Sequence, residues 1–132
     1  AISEGRFDDV PDSWEMIDSS MPGRSQGIYG CTKAWGEAIA RTYSDAHGLS
    51  VLCIRIGAVL SEDRPTQTRH VPVWCSQRDL CRLIEACILA PDELKYDIFY
   101  AVSRNRWSYR DMEHIRIVLG YEPEDSAEAF DE

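Results

Sequence analysis

The chain has 132 residues, of which 44% are hydrophobic and 28% charged. This composition is typical of one globular domain with an apolar core, and it excludes a disordered or fibrous polypeptide. Fourteen basic residues stand against twenty-three acidic ones, which gives a net charge of −9. Such a negative field repels phosphate backbones and anionic lipid surfaces, so we expect neither a nucleic-acid nor a membrane partner.

The sequence contains five cysteines and three histidines but no C-x-x-C pair. An odd number of scattered cysteines fits a reducing compartment, so we expect a cytoplasmic protein. No histidine has a metal-ligand spacing with a cysteine, so we expect no metal site. No apolar run approaches the ~20 residues of a membrane span.

The first half of the chain predicts a loop, a helix and a strand. Residues 1–28 are rich in glycine, proline, aspartate and serine without a sustained period, which indicates a long loop. Apolar residues then recur at helical spacing until Gly48, and they predict a helix over 29–47. The nearly continuous apolar run at 51–60 predicts a parallel strand that is covered on both faces.

An aperiodic segment, 61–72, predicts a loop at the carboxyl end of this strand. Ser76-x-x-Asp79 then matches the capping box of an amphipathic helix over 76–90, which Pro91 stops. The serine hydroxyl and the acidic side chain of such a box satisfy backbone amides at the start of the helix.

A second strand is predicted at 97–102. Ser108-x-x-Asp111 repeats the capping pattern before a last helix over 112–119, which ends at a glycine. Strands that alternate with helices predict an α/β architecture. Two strands alone do not make a stable parallel sheet, so we expect a natural N-terminal part to be missing before the first residue.

Tyr29 and Lys33 stand four residues apart at the start of the first helix, so their side chains share one face. A free phenol is a poor base at neutral pH. A neighbouring cation favours the phenolate, which can accept a proton from a substrate hydroxyl. The same pair also fits an ordinary solvent-facing helix start, and the spacing alone leaves both interpretations open.

Five segments of the chain share a wider likeness: Ile28-Tyr29-Gly30-Cys31-Thr32-Lys33-Ala34-Trp35-Gly36-Glu37, His47-Gly48-Leu49-Ser50, Ile54-Arg55-Ile56-Gly57, Trp74-Cys75-Ser76-Gln77-Arg78-Asp79-Leu80 and Leu119-Gly120-Tyr121-Glu122-Pro123. Together they resemble the extended short-chain dehydrogenase/reductase family, also called the NAD-dependent epimerase/dehydratase family. Within it, the likeness is closest to the uronate dehydrogenase-like, sugar-oxidising branch. The resemblance implies a Rossmann-like doubly wound parallel sheet, represented here by its C-terminal part without the N-terminal nucleotide-binding half.

The resemblance also implies catalytic and cofactor-binding residues. Tyr29 matches the tyrosine that exchanges a proton with the substrate, and Lys33 matches the lysine that activates it and hydrogen-bonds the nicotinamide ribose. Ile56 and Gly57 match the strand end beside the nicotinamide, where a missing Cβ allows close approach.

Two further positions are implied to lie near the substrate. Ala58 falls where the dehydrogenases often use a serine toward the substrate. Arg69 lies near the arginine that grips the substrate carboxylate, with a solvated loop arginine as the alternative. Asn105 and Trp107 resemble the loop after the final strand and are weaker candidates for a substrate-side role.

Two parts of the family pattern have no counterpart in the sequence. The Gly-rich phosphate-binding turn is absent from these residues. The catalytic serine would fall just before the first residue, with Ser3 as an alternative. The implied organisation is therefore one truncated domain, in which 1–28 form an active-site-side loop and 29–132 form the catalytic helix and a small substrate-side region.

The implied activity is NAD- or NADP-dependent oxidation of a hydroxyl in a small sugar or sugar acid, in a parent enzyme that is a homo-oligomer. A nucleotide-sugar epimerase or dehydratase of the same family is one alternative, although the chain after Lys33 is short for the large nucleotide-binding lobe of those relatives. A non-catalytic truncated module is the other. We expect the 132-residue chain to be inactive by itself.

Overall fold

The computed structural model describes residues 1–21, 23, 25 and 27–130. Residues 22, 24 and 26 of the predicted leading loop lie outside the described residues, as do residues 131 and 132. The helices and strands of the described part are α1 (Ile28–His47), β1 (Val51–Ile56), α2 (Gln77–Ile88), β2 (Tyr96–Ala101) and α3 (Glu113–Leu119). Short 3-10 helices cover Ile2–Glu4, Phe7–Asp9, Thr68–Val73 and Ala127–Phe130.

The two strands pair in parallel, with Val51 opposite Tyr96 and Ile56 opposite Ala101. The α/β architecture and the parallel pairing predicted from the sequence are thereby confirmed. Successive side chains of a strand point to opposite faces, so the register defines one face through Arg55 and another through Ile56.

Helices cover both faces of this sheet, as expected for a doubly wound arrangement. On one face, Glu37 of α1 forms an ion pair with Arg55. On the other face, Phe99 packs with Leu83 of α2 and Ile115 of α3 in the buried core. The core therefore lies between the sheet and the two shorter helices.

The outer edge of β1 has no strand beside it in the part of the chain that the structure describes. The Val51 and Gly57 amides donate to carbonyl oxygens on the β2 side, at 2.8 and 2.9 Å. Backbone groups alternate along a strand, so those of Leu52, Ile54 and Ile56 point to the outer edge. This edge is open to further pairing.

The leading segment is attached to the loop that follows β2. Phe7 stacks on Trp107 with ring centroids 4.9 Å apart, and Trp14 stacks on the same indole at 6.0 Å. The Trp14 Nε1 donates to the Ser108 carbonyl at 3.1 Å. Ile17 adds a short bridge to the main chain around Arg110.

The first strand is shorter than the predicted 51–60 because the chain changes partner after Ile56. The Ala58 amide donates to the Val73 carbonyl, and the Ala58 carbonyl accepts from the Cys75 amide. The strand is also half-buried rather than fully covered. The predicted loop at 61–72 ends in the 3-10 helix Thr68–Val73.

Only half of the first predicted capping box is present. The Ser76 hydroxyl accepts from the Asp79 amide at 2.9 Å, as expected for the cap of α2. The Asp79 carboxylate does not return to the Ser76 amide; it is fully buried and accepts from the Glu124 and Asp125 amides. It thus fastens the C-terminal segment to α2.

The Ser108 cap was predicted wrongly. Helix α3 begins at Glu113, so Ser108 lies too far upstream, and its hydroxyl accepts instead from the Arg110 amide. The amide of Glu113 donates to the Asp111 carboxylate at 2.9 Å. Asp111 therefore supplies the polar side chain at this helix start.

Candidate active site

A cleft of about 930 Å³ opens at the carboxyl ends of β1 and β2. Ligands of open α/β sheets bind at this end of the strands. The walls come from the leading segment, the first turns of α1, the two strand ends and the loop after β2. The lining residues are Ile17, Met21, Gly23, Ser25, Gly30, Lys33, Ala34, Glu37, Arg55, Ile56, Gly57, Val73, Tyr100, Val102, Tyr109 and Arg110.

Tyr29 and Lys33 lie together at the edge of this cleft. The Lys33 Nζ is 5.1 Å from the centroid of the Tyr29 ring. Lys33 lines the cleft, whereas Tyr29 is not among the lining residues and is 75% exposed. The shared face predicted from the spacing is confirmed.

An ion pair holds α1 against the end of β1. The Arg55 guanidinium donates to both Glu37 carboxylate oxygens, at 2.8 and 2.9 Å, and to the Tyr100 hydroxyl at 3.1 Å. The Glu37 hydrogen bonds raise the pKa of Arg55, with a further contribution from Tyr100. The pair fixes the side of α1 that carries Lys33 relative to the strand ends.

Ile56 and Gly57 form the strand-end wall of the cleft. The Ile56 side chain is 54% exposed and presents an apolar surface to the cleft. A Cβ on Gly57 would lie 2.1 Å from the Val73 carbonyl oxygen, so the protein's own main chain requires the glycine. The Gly57 amide is already bonded to the Ala101 carbonyl.

The two predicted substrate-side residues lie outside the cleft lining. Ala58 is half-buried, and its amide and carbonyl are both bonded to the segment around Trp74. Arg69 is exposed on the 3-10 helix Thr68–Val73. Neither residue is brought beside Lys33 by the contacts of this structure.

The weaker candidates have structural roles instead. The buried Asn105 side chain donates to the Trp74 carbonyl and accepts from the Ala127 amide. Trp107 is the platform on which the leading segment stacks. Ser3 lines a different, shallower cleft at the start of the chain.

The charged and hydrogen-bonding residues of the cleft that sequence reasoning missed include Glu37, Arg55, Tyr100 and Arg110. Their signal in the sequence is weak because each belongs to a common residue type on an ordinary helix, strand or loop. Arg55 is a charged residue inside an apolar run, which is the signal that could have found it.

Within the described residues, no cluster of three or more histidine, cysteine, aspartate or glutamate side chains has the geometry of a metal site. The described helices include none that is both long and apolar enough to cross a membrane.

No family model matches the chain. It is 36% identical to an NAD-dependent glucose-6-phosphate dehydrogenase of Haloferax volcanii over 115 residues, which are 86% of this chain and 43% of the relative. It is 38% identical to a uronate dehydrogenase of Pseudomonas putida over 116 residues, which are 88% of this chain and 42% of the relative.

Solved structures agree with these relatives. The crystal structure of uronate dehydrogenase from Agrobacterium tumefaciens matches with a TM-score of 0.81 and 35% identity, over 89% of this chain and 42% of that one. The chain is homologous to part of the uronate dehydrogenases. It spans about two-fifths of the length of the curated relatives it matches.

The uronate dehydrogenase-like match confirms the predicted Rossmann-like fold class. A mutant of the Agrobacterium tumefaciens enzyme in complex with NAD matches with a TM-score of 0.79 and 34% identity, over 89% of this chain and 43% of that one.

Proposed function

We propose that this chain is the proton-transfer part of an NAD-dependent sugar dehydrogenase of the extended short-chain dehydrogenase/reductase family. The observation that carries the proposal is the Tyr29–Lys33 stack at the mouth of a cleft that opens at the carboxyl ends of two parallel strands. The relatives named above are NAD-dependent or uronate dehydrogenases, which favours a dehydrogenase over an epimerase or a non-catalytic module.

The residues of the cleft fit the nicotinamide end of the cofactor. Ile56 offers an exposed apolar surface for a flat ring, and Gly57 continues the same wall. Lys33 offers an ammonium within the cleft for ribose hydroxyls. When bound, NAD or NADP accepts the hydride. The sequence contains no Gly-rich turn, so these residues are proposed to hold only that end.

Tyr29 is the proposed proton-transfer residue. Its phenolate oxygen takes the proton of the sugar hydroxyl and becomes a neutral phenol, and Lys33, over the ring, stabilises the phenolate before the transfer. The ion pair between Glu37 and Arg55 keeps this face of α1 against the strand ends.

The substrate is proposed to be a small sugar or sugar acid. Ala58 and Arg69 stay proposed substrate-side residues. Arg69 is exposed and is not among the residues that line the cleft. The leading segment 1–28 is proposed as the active-site-side loop, which agrees with the lining residues Ile17 and Met21.

The proposed parent enzyme is a homo-oligomer of the cytoplasm. All five cysteines are free, including the exposed Cys31 and Cys81. Free exposed thiols agree with a reducing compartment.

The proposal is tested in the complete protein that contains this chain, by following NADH formation with sugars and sugar acids. Tyr29→Phe should lower kcat by ~10²-fold or more and leave NAD affinity unchanged, because the ring remains while the proton acceptor is lost. Tyr43→Phe is the matched control, since Tyr43 is another exposed tyrosine of α1. Near wild-type turnover by Tyr29→Phe would rule out the assigned base.

A further inference from the structure

A second cavity, of about 530 Å³, lies next to the proposed active-site cleft and shares only Arg110 with it. Its walls come from the loop after β2 (103–110), the leading segment (14–16), the start of α3 (112–116) and the segment that follows α3 (121–123). Its volume is within the usual range of small-molecule sites. The strand ends and α1 contribute nothing to its lining, so this second cavity is a separate place for a ligand.

The second cavity has an excess of positive charge in a chain whose net charge is −9. Its charged lining residues are four arginines and two glutamates: Arg104, Arg106, Arg110, Arg116, Glu113 and Glu122. Arg116 is neutralised by an ion pair with Glu113. Arg104 and Arg106 form no ion pair with a carboxylate in the described ranges of the chain. A phosphomonoester, which carries about −1.5 to −2 charges at neutral pH, would balance the excess.

The loop that carries Arg104 and Arg106 is fixed before any ligand binds. The Arg104 amide donates to the Asp125 carbonyl at 2.8 Å. The Asn105 side chain, between the two arginines, is buried and hydrogen-bonded through both its nitrogen and its oxygen. The guanidinium carbon of Arg106 lies 4.9 Å from the centroid of the Trp107 ring, and this contact orients its N–H groups. Little ordering of the loop is therefore required on binding.

Apolar and aromatic side chains complete the second cavity. Trp14 and Met16 come from the leading segment, and Met112 and Pro123 come from the two ends of α3 and the chain beyond it. Methionine side chains adapt to irregular shapes and make favourable contacts with aromatic rings. Tyr121 lines the cavity as a buried residue. These walls favour a ligand that has a flat ring as well as an anionic group.

We propose that the second cavity binds a small phosphomonoester that carries a flat ring, the chemistry of a nucleoside monophosphate. Arg104 and Arg106 bind the phosphate oxygens, because guanidinium groups match phosphate in geometry and charge. Trp14, Met16 and Met112 cover the ring. The bound ligand thereby joins the leading segment to the loop after β2. The site goes beyond the proposed dehydrogenase function, and its occupancy requires no oxidation of a sugar.

The test is calorimetric titration of the complete protein with AMP in saturating NAD, so that the adenosine site of the cofactor is already filled. The wild type should bind AMP. Arg104→Gln and Arg106→Gln should each weaken this binding about tenfold or more, because each removes charge-assisted hydrogen bonds to the phosphate. Adenosine and ribose 5-phosphate, which each lack one part of the ligand, should bind more weakly. No binding of AMP, or equally tight binding of either part, would overturn the proposal.

Arg64→Gln is the matched control. Arg64 is another exposed loop arginine, and it lines neither the cleft nor the second cavity. Its substitution should leave AMP affinity unchanged, and an equal loss in all three variants would show that AMP responds only to the overall charge. Arg106→Gln also removes the contact with Trp107, whereas Arg104→Gln leaves it intact. A loss confined to Arg106→Gln would therefore contradict phosphate binding by the pair, and Arg104→Gln decides if Arg106→Gln does not fold.

Kinetics of sugar oxidation separate the second cavity from the cleft. Without AMP, Arg104→Gln and Arg106→Gln should keep the wild-type kcat and KM, since neither residue lines the cleft. A fall in kcat would place these arginines in the active site and contradict the proposal. If AMP competed with the sugar and both variants kept its affinity, AMP would occupy the cleft and the proposal would be wrong. A protein that oxidises no sugar but binds AMP through these arginines would refute the dehydrogenase proposal alone.

Discussion

Gly57 shows how a single position can resemble a cofactor contact and yet be required by packing. A built Cβ would come within 2.1 Å of the Val73 carbonyl oxygen and 3.0 Å of the Val102 side chain. The main chain at 73 is itself bonded to Ala58 and has little freedom to move. The family resemblance pointed to the correct residue type, but the physical reason lies inside the protein.

We expect Gly57→Ala to lower the free energy of unfolding by about 1–3 kcal/mol, as overpacking of a tight site does. The measurement is denaturant unfolding of the complete protein. Gly36→Ala is the control, because a Cβ there meets nothing within 4 Å in α1. It should stabilise the helix by roughly 0.5–1 kcal/mol. Equal effects of the two substitutions would show that the close approach at Gly57 is relieved without cost.

At the scale of elements, the ion pair between Glu37 and Arg55 joins α1 to β1. Both side chains are about three-quarters buried. Glu37→Gln should therefore cost about 1.5–3 kcal/mol of unfolding free energy, the range for hydrogen bonds to charged groups. It should also lower kcat in the complete protein, because the first turns of α1 lose their anchor on the strand end.

The control for this pair is Asp45→Asn, which removes the Arg41–Asp45 pair from the same helix. Both of those side chains are more than half exposed, so the expected cost is about 0–1 kcal/mol. Its kcat should stay at the wild-type value. If Glu37→Gln lost stability but kept the wild-type kcat, the ion pair would stabilise the fold without positioning α1 for catalysis.

The helices and strands were predictable from the sequence because their patterns are local. The helix bounds at Gly48 and the cap at Ser76 follow from residue types at fixed offsets, and the structure confirms both. The shorter β1 and the cap by Asp111 were missed, since each depends on a partner that no spacing encodes. For β1, that partner is the segment around Trp74, with which Ala58 pairs.

The site was predictable to a similar extent. The four-residue spacing of Tyr29 and Lys33 is enough to predict that they share a helix face. In the structure the Lys33 ammonium lies over the Tyr29 ring. Arg110 was missed because its place in the cleft depends on the loop after β2 and on the bridge to Ile17. These contacts are distant in sequence, so only the folded chain reveals them.

At the scale of the whole molecule, the outer face of α1 exposes large apolar side chains. Trp35 is 68% exposed and Tyr43 is 53% exposed. Together with the open edge of β1, this face gives the 132-residue polypeptide an uncovered apolar surface. The unfolding free energy of a native domain is only ~5–15 kcal/mol, so an uncovered apolar surface can remove much of it.

We expect the 132-residue polypeptide by itself to bind an apolar-surface dye, to aggregate with rising concentration and to bind no NAD. Dye fluorescence, light scattering and calorimetric titration with NAD measure these three properties. Trp35→Gln should reduce the dye signal, whereas Trp74→Phe should not, because Trp74 is buried. A monodisperse, dye-free polypeptide that binds NAD would contradict this expectation.

The stacked indoles of Trp14 and Trp107 also provide an intrinsic spectroscopic signal. Their rings are 6.0 Å apart at an interplanar angle of 28°, close enough for their electronic transitions to couple. Trp14 belongs to the leading segment, and Trp107 precedes Arg110 by three residues on the loop that closes the cleft. The near-ultraviolet circular dichroism of this pair therefore follows the seating of the leading segment on that loop without any added label.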